Sequence, residues 1–127
     1  MPYVILLVDD NAVQASMRRA ILSGTGYQIE VATNPVDALK LLDTPELAHR
    51  VRLVITDHLM PNMKGPQFVA ALRRQFPSMP VLVLSGMLGS EEEYAGMEVV
   101  HRLKPLAPEN LIQLALSLSS NTLERTA

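Results

Sequence analysis

Five short strand-like runs punctuate the chain, and four of them end on a residue that can do chemistry. Val4-Ile5-Leu6-Leu7-Val8 runs into Asp9-Asp10, and Leu53-Val54-Ile55-Thr56 runs into Asp57. Val81-Leu82-Val83-Leu84 ends on Ser85-Gly86, and Val99–Leu103 leads into Lys104-Pro105. The remaining run, Gln28–Thr33, alternates in polarity. Unbroken apolar runs of this length suit strands buried on both faces, as in a parallel sheet.

Helical patterns fill the intervals. Asn11 opens the first, with Val13, Met17, Ala20 and Ile21 on its apolar face, and Gly24-Thr25-Gly26 stops it. Asn34-Pro35 reads as a cap followed by the first helical position, and Ala38, Leu41 and Leu42 continue that helix. Gly65-Pro66 starts a third helix with Phe68, Val69, Leu72 and Phe76 as its stripe, and Pro77 and Pro80 bracket its exit. A short fourth helix is expected within Ser90–Ala95, and Pro108 opens a last one carrying Leu111, Leu114, Ala115 and Leu118. Strands alternating with helices predict an α/β fold built on an open, doubly wound parallel sheet with right-handed crossovers. In such sheets the chemistry sits beyond the carboxyl ends of the strands.

The composition is compatible with that fold. The chain has 127 residues, enough for one core, and 48% of them are hydrophobic. A net charge of −2 argues against a nucleic-acid-binding surface. The lack of cysteine rules out disulfides and thiolate metal sites. The start has no basic segment, and Val4–Val8 is too short to span a membrane, so a cytoplasmic domain without membrane contact is expected.

Taken singly, each strand-end residue has an ordinary structural use: helix cap, turn former or solvated lysine. Together they place an acid pair, an acid, a hydroxyl and an ammonium at one sheet edge. Crowded carboxylates repel unless a proton or cation intervenes. Oxygen ligands select a hard ion, and few protein ligands with retained water suit Mg²⁺. A carboxylate nucleophile flanked by Mg²⁺, an ammonium and a hydroxyl can take part in in-line phosphoryl transfer.

Val8-Asp9-Asp10-Asn11, Asp57-His58-Leu59-Met60-Pro61-Asn62-Met63-Lys64-Gly65, Leu84-Ser85-Gly86 and Leu103-Lys104-Pro105 resemble, in order and spacing, the signature blocks of response-regulator receiver domains. The resemblance covers essentially the whole chain. It implies a flavodoxin-like sheet of order 2-1-3-4-5, a receiver domain over residues 1–120 and a C-terminal tail over 121–127. Asp57 would take the phosphoryl group from a phosphohistidine, in a signalling phosphoacceptor that catalyses its own phosphorylation and dephosphorylation. Asp10 would ligate one Mg²⁺ directly, and Asp9 would hold the metal's water or the lysine. Asp57 and the Leu59 carbonyl would complete the protein ligands. Lys104 would pair with Asp57 and then with the phosphoryl group, Ser85 would bond a phosphoryl oxygen, and Gly86 would leave it room. The Lys104-Pro105 bond would be cis. The partners would be a sensor histidine kinase or histidine phosphotransfer protein, and an output partner or fused output domain answering to the face of the fourth helix, fifth strand and fifth helix.

Three features depart from the common pattern of that family. His101 stands at the switch position, three before the lysine, where an aromatic residue is usual. The stretch between Ser85 and Lys104 is short, so the fourth helix must be short or irregular, as Gly89, Gly96 and Glu91-Glu92-Glu93 suggest. Leu59 and Met87, which would flank the water that hydrolyses the aspartyl phosphate, are apolar. His49, His58 and His101 match no metal-binding spacing. Other readings fare worse. An aspartyl-nucleophile phosphatase would need Asp-x-Asp after its first strand, where this chain has adjacent acids. Nucleotide binding would need a glycine-rich strand-to-helix turn, and Gly24-Thr25-Gly26 follows a helix. An unphosphorylated interaction module would be expected to lack part of the acidic site.

Overall fold

The computed structural model describes residues 2–126, with side chains as far as residue 120. Among these residues five strands form one sheet: β1 (Val4–Val8), β2 (Gln28–Ala32), β3 (Val51–Asp57), β4 (Val81–Ser85) and β5 (Val100–Leu103). All neighbours pair in parallel, in the order β2-β1-β3-β4-β5. The helices are α1 (Ala12–Leu22), α2 (Pro35–Leu42), α3 (Pro45–Arg50), α4 (Gly65–Gln75) and α5 (Pro108–Thr126). This is the doubly wound α/β sheet expected from the sequence.

The apolar runs are unbroken because their alternate residues serve two cores. Leu6, Val8, Val54 and Val83 pack with Phe68, Val69 and Leu72 of α4 and with Ala38 and Leu42 of α2. Ile5, Leu7, Leu53, Ile55, Leu82 and Leu84 pack with Ala15 and Leu22 of α1 and with Leu111 and Ala115 of α5. Local signals fix the helix starts. The Asn11 and Asn34 side chains accept hydrogen bonds from the backbone N–H of Gln14 and Asp37, which would otherwise be orphaned.

The structure corrects the reading of the first helix. Val13, Met17 and Ala20 face solvent, and the inward positions are Ala15, Arg18 and Leu22. An arginine on the inward face shifts the apparent phase of the apolar pattern. The crossover between β2 and β3 contains a helix that the sequence did not announce, α3, whose Leu47 is buried. The fourth crossover holds no α-helix but a 3₁₀ segment over Ser90–Tyr94, entered through Gly89 in the left-handed region at φ 80°. The final helix is longer than the Leu111–Leu118 pattern suggested. Its helical backbone continues to Thr126, while the side chains of the expected tail, 121–127, lie outside the described residues.

Candidate functional site

The sheet register brings the sequence-predicted residues together. Asp57 is level with Leu84, and Ser85 with Leu103, so Asp57, Ser85 and Lys104 emerge on adjacent strands. β1 lies on the other side of β3, with Val8 level with Thr56, which sets Asp9 and Asp10 beside Asp57. Asp9 and Asp57 are buried and Asp10 is exposed. One carboxylate oxygen from each of the three lies within 4.8 Å of the others. The Lys104-Pro105 peptide bond is cis, and the Lys104 ammonium stands 2.9 Å from Asp57 Oδ1.

Arg18 is the residue that the sequence reading missed. Its Nη1 donates to Asp9 Oδ2 at 2.8 Å and to Asp57 Oδ1 at 2.9 Å. Asp9 Oδ1 accepts from the Asn11 backbone N–H. Asp9 therefore contacts Arg18, whereas Lys104 reaches Asp57 and Gln14. Ser85 is buried with its hydroxyl turned to the loop after β4: it accepts from the Met87 N–H at 3.0 Å and from the Ser90 hydroxyl at 2.8 Å. Leu59 and Met87 are exposed, 61% and 46%, at the loops beyond β3 and β4.

The two buried acids divide one proton unequally. Burial, and then the neighbouring Asp57, push Asp9 up to about 7. Burial also acts to raise Asp57, but hydrogen bonding with Asp9 and Lys104, and the charges of Arg18 and Lys104, outweigh it and hold Asp57 below the usual carboxylate range. Asp57 is thus the acid of the pair that gives up its proton first, and the ionised form is the one a nucleophile needs. The donor set is all oxygen, which fits a hard divalent ion such as Mg²⁺.

A second polar cluster backs the site. Tyr94, buried on the 3₁₀ segment, places its hydroxyl 2.7 Å from His58 Nδ1, and His58 Nε2 lies 3.2 Å from Glu93. Ser90 Oγ lies 2.8 Å from His101 Nε2, so Ser85, Ser90 and His101 are connected by hydrogen bonds. Nothing in the sequence pairs Tyr94 with His58, because the pairing depends on a tight turn in place of a helix.

His101 points inward, and burial holds its pKa below 6.5, against the pull of Glu91. The folded chain therefore favours the neutral ring. That contribution to stability is present above pH 6.5 and is lost as pH falls through the lowered value. Acidification from about pH 7.5 to about pH 5 should lower the melting temperature of the parent more than that of His101→Phe, which cannot titrate. Equal acid sensitivity, measured by circular dichroism, would show that the fold accepts the imidazolium.

A parallel sheet of this order, with an aspartate, an acid pair and a lysine at one edge, defines a receiver-type architecture. The family model of the response regulator receiver domain matches residues 5–116, and the chain belongs to that family, whose members serve two-component systems. It is 35% identical over 126 residues to the response regulator MprA of Mycobacterium sp. strain KMS, covering 96% of this chain and 53% of that protein. The chain thus spans about half the length of the MprA regulators it matches. Among solved structures it is similar to the chemotaxis response regulator CheY4 of Vibrio cholerae, with a TM-score of 0.80, 28% identity and coverage of 93% and 99% of the two chains. A receiver-domain protein of Methanospirillum hungatei shares the fold with a TM-score of 0.87 at 20% identity, covering 98% and 99%.

Proposed function

We propose that this chain accepts a phosphoryl group on Asp57 from the phosphohistidine of a sensor histidine kinase or histidine phosphotransfer protein. The observation that carries this reading is the buried, ionised Asp57 carboxylate held 2.9 Å from the Lys104 ammonium beside Asp9 and Asp10. An Asp57 oxygen forms the new bond to phosphorus, the phosphorus–nitrogen bond breaks, and the released imidazole takes up a proton. Asp10, Asp9, Asp57 and the Leu59 carbonyl would hold one Mg²⁺, which supplies charge neutralisation for the phosphoryl oxygens. Lys104 keeps Asp57 ionised and then follows the charge onto the phosphoryl group. Ser85 gives up its bonds to the loop to meet a phosphoryl oxygen, and a Cβ built on Gly86 meets nothing within 4 Å, so space remains there.

When Ser85 turns toward the phosphoryl group, Ser90 loses one of its three partners and keeps the Met87 carbonyl and His101, through which the change passes to β5. The responding surface is therefore the 3₁₀ segment, β5 and α5, presented to an output partner or fused output domain. The domain itself makes no direct contact with nucleic acid in this reading. No helix among the described residues is long and apolar enough to cross a membrane. With Mg²⁺ and acetyl phosphate the chain should gain one acid-stable, base-labile phosphoryl group that maps by mass spectrometry to Asp57. Labelling that maps elsewhere would overturn the assignment.

The lifetime of that group should be long. Hydrolysis needs a water in line with phosphorus, and neither Leu59 nor Met87 offers a strong hydrogen-bonding group to orient it. Leu59→Asn with Met87→Glu should shorten the half-life about tenfold, equivalent to about 1.4 kcal/mol of barrier. The readout is loss of label in excess Mg²⁺ after removal of the phosphodonor. Decay of the double variant at the parental rate would exclude these two side chains as the determinant.

A further inference from the structure

We infer that Arg18 is a resident counter-ion of the acid pocket, which occupies the Asp9–Asp57 pair in the metal-free protein and must withdraw when a divalent cation binds. The inference rests on the Mg²⁺ reading of the pocket given above. A single guanidinium nitrogen, Nη1, lies 2.8 Å from Asp9 and 2.9 Å from Asp57, so one donor is shared by the two buried carboxylates. Those acid side chains are 0% and 4% exposed, and the arginine 14%. Burying two carboxylates together without compensation is costly, and a shared cation with directional donors answers that cost.

The location of Arg18 strengthens the argument. It falls on the inward face of α1, between Ala15 and Leu22, which both pack into the core. A solvated arginine would sit on the opposite face, where Val13 and Met17 are instead exposed to water. The helix therefore turns apolar side chains outward while turning a charge inward onto the acids.

With Lys104 also on Asp57, two fixed cations already face the acids, and a divalent ion entering beside them meets like charge. The arginine has somewhere to go. A cavity of about 240 Å³ adjoins it, lined by Gln14, Met17, Ile21, Lys104 and Leu106 among others. Arg18 thereby sets the Mg²⁺ concentration at which the pocket changes from arginine-paired to metal-paired, and so gates the chain's readiness for phosphoryl transfer.

The test is a calorimetric Mg²⁺ titration of the parent, Arg18→Leu, Arg18→Gln and Arg18→Lys at one ionic strength. Leu and Gln should each tighten Mg²⁺ binding about tenfold, whereas Lys, which keeps the charge, should stay near the parent. A companion measurement uses the unaltered chain labelled with ¹⁵N-arginine. The guanidinium missing from the Arg18→Lys spectrum should be rotationally restrained without Mg²⁺ and released at saturation, whereas that of Arg73, which donates to the carbonyls of Met97, Phe76, Met79 and Glu98, should stay restrained throughout. Saturable Mg²⁺ binding of equal or weaker affinity in Leu and Gln would remove Arg18 from this role and leave the Mg²⁺ site standing. No saturable binding in the parent or any variant would remove both. An Arg18 guanidinium that stays restrained at Mg²⁺ saturation would overturn the inference even if the Leu and Gln variants failed to fold.

Discussion

Asparagine at position 57 is expected to leave a folded chain that takes up no phosphoryl group. The substitution keeps the side chain's shape but removes the charged oxygen that attacks phosphorus in the proposed reaction. It also removes the charge on which Lys104 and Arg18 converge at 2.9 Å each. Asp9 cannot make good the loss, because its two carboxylate oxygens are already bonded to the Asn11 N–H and to Arg18. Labelling by acetyl phosphate should fall on the order of a thousandfold or more, as when an essential group is deleted from a site that works as a unit. The fold should survive, since Asp9 remains to balance Arg18 and the strand is held by backbone pairing with β1 and β4. Mass spectrometry of the intact variant reads the result. Residual label on Ser85 or His58 would show that the pocket, rather than Asp57 alone, selects the acceptor.

How far the sequence announces this molecule depends on the length scale of each signal. The strands are legible because a buried parallel strand needs apolar residues on both faces, and the runs at Val4–Val8 and Val81–Leu84 meet that need without a break. The site is legible because strand ends, wherever they fall in the sequence, converge at one sheet edge. Asp9, Asp10, Asp57 and Lys104 required no more than the order of elements to be brought together. Arg18 escaped because hydrophobic periodicity treats every charge as outward-facing, and a functional charge turned inward makes the pattern choose the wrong face. α3 escaped because six residues give fewer than two turns, too few to establish a period. The fourth crossover was anticipated as short. Its 3₁₀ form, however, follows from packing that places Ser90 against His101 on β5 and Tyr94 against His58 beyond β3, contacts between different elements of the chain. The site therefore has two layers. Local runs specify the outer one, and tertiary contacts specify the one beneath it.

Gly65→Ala probes that lower layer and should cost more stability than its size suggests. Gly65 opens α4, its N–H donates to the His58 carbonyl at 3.0 Å, and its backbone is ordinary, so conformational freedom is not what requires glycine. Space is. A Cβ there would run into the Tyr94 hydroxyl and would stand 3.0 Å from the His58 carbonyl oxygen and 3.2 Å from the His58 Cα. The backbone contacts can yield only slightly, so the tyrosine must move and give up its bond to His58. Overpacking costs about 1–3 kcal/mol, and leaving a buried polar group unpaired about 1–3 more. The two overlap, and a loss of roughly 2–4 kcal/mol should lower the melting temperature by roughly 10 °C in a domain of this size. Tyr94→Phe supplies the control, because it deletes the colliding oxygen and the hydrogen bond together. In that background Gly65→Ala should cost markedly less, giving a coupling energy of about 1 kcal/mol or more between the two positions. Additive losses across the double-mutant cycle would mean that the His58 backbone, rather than the tyrosine, is what holds position 65 to glycine.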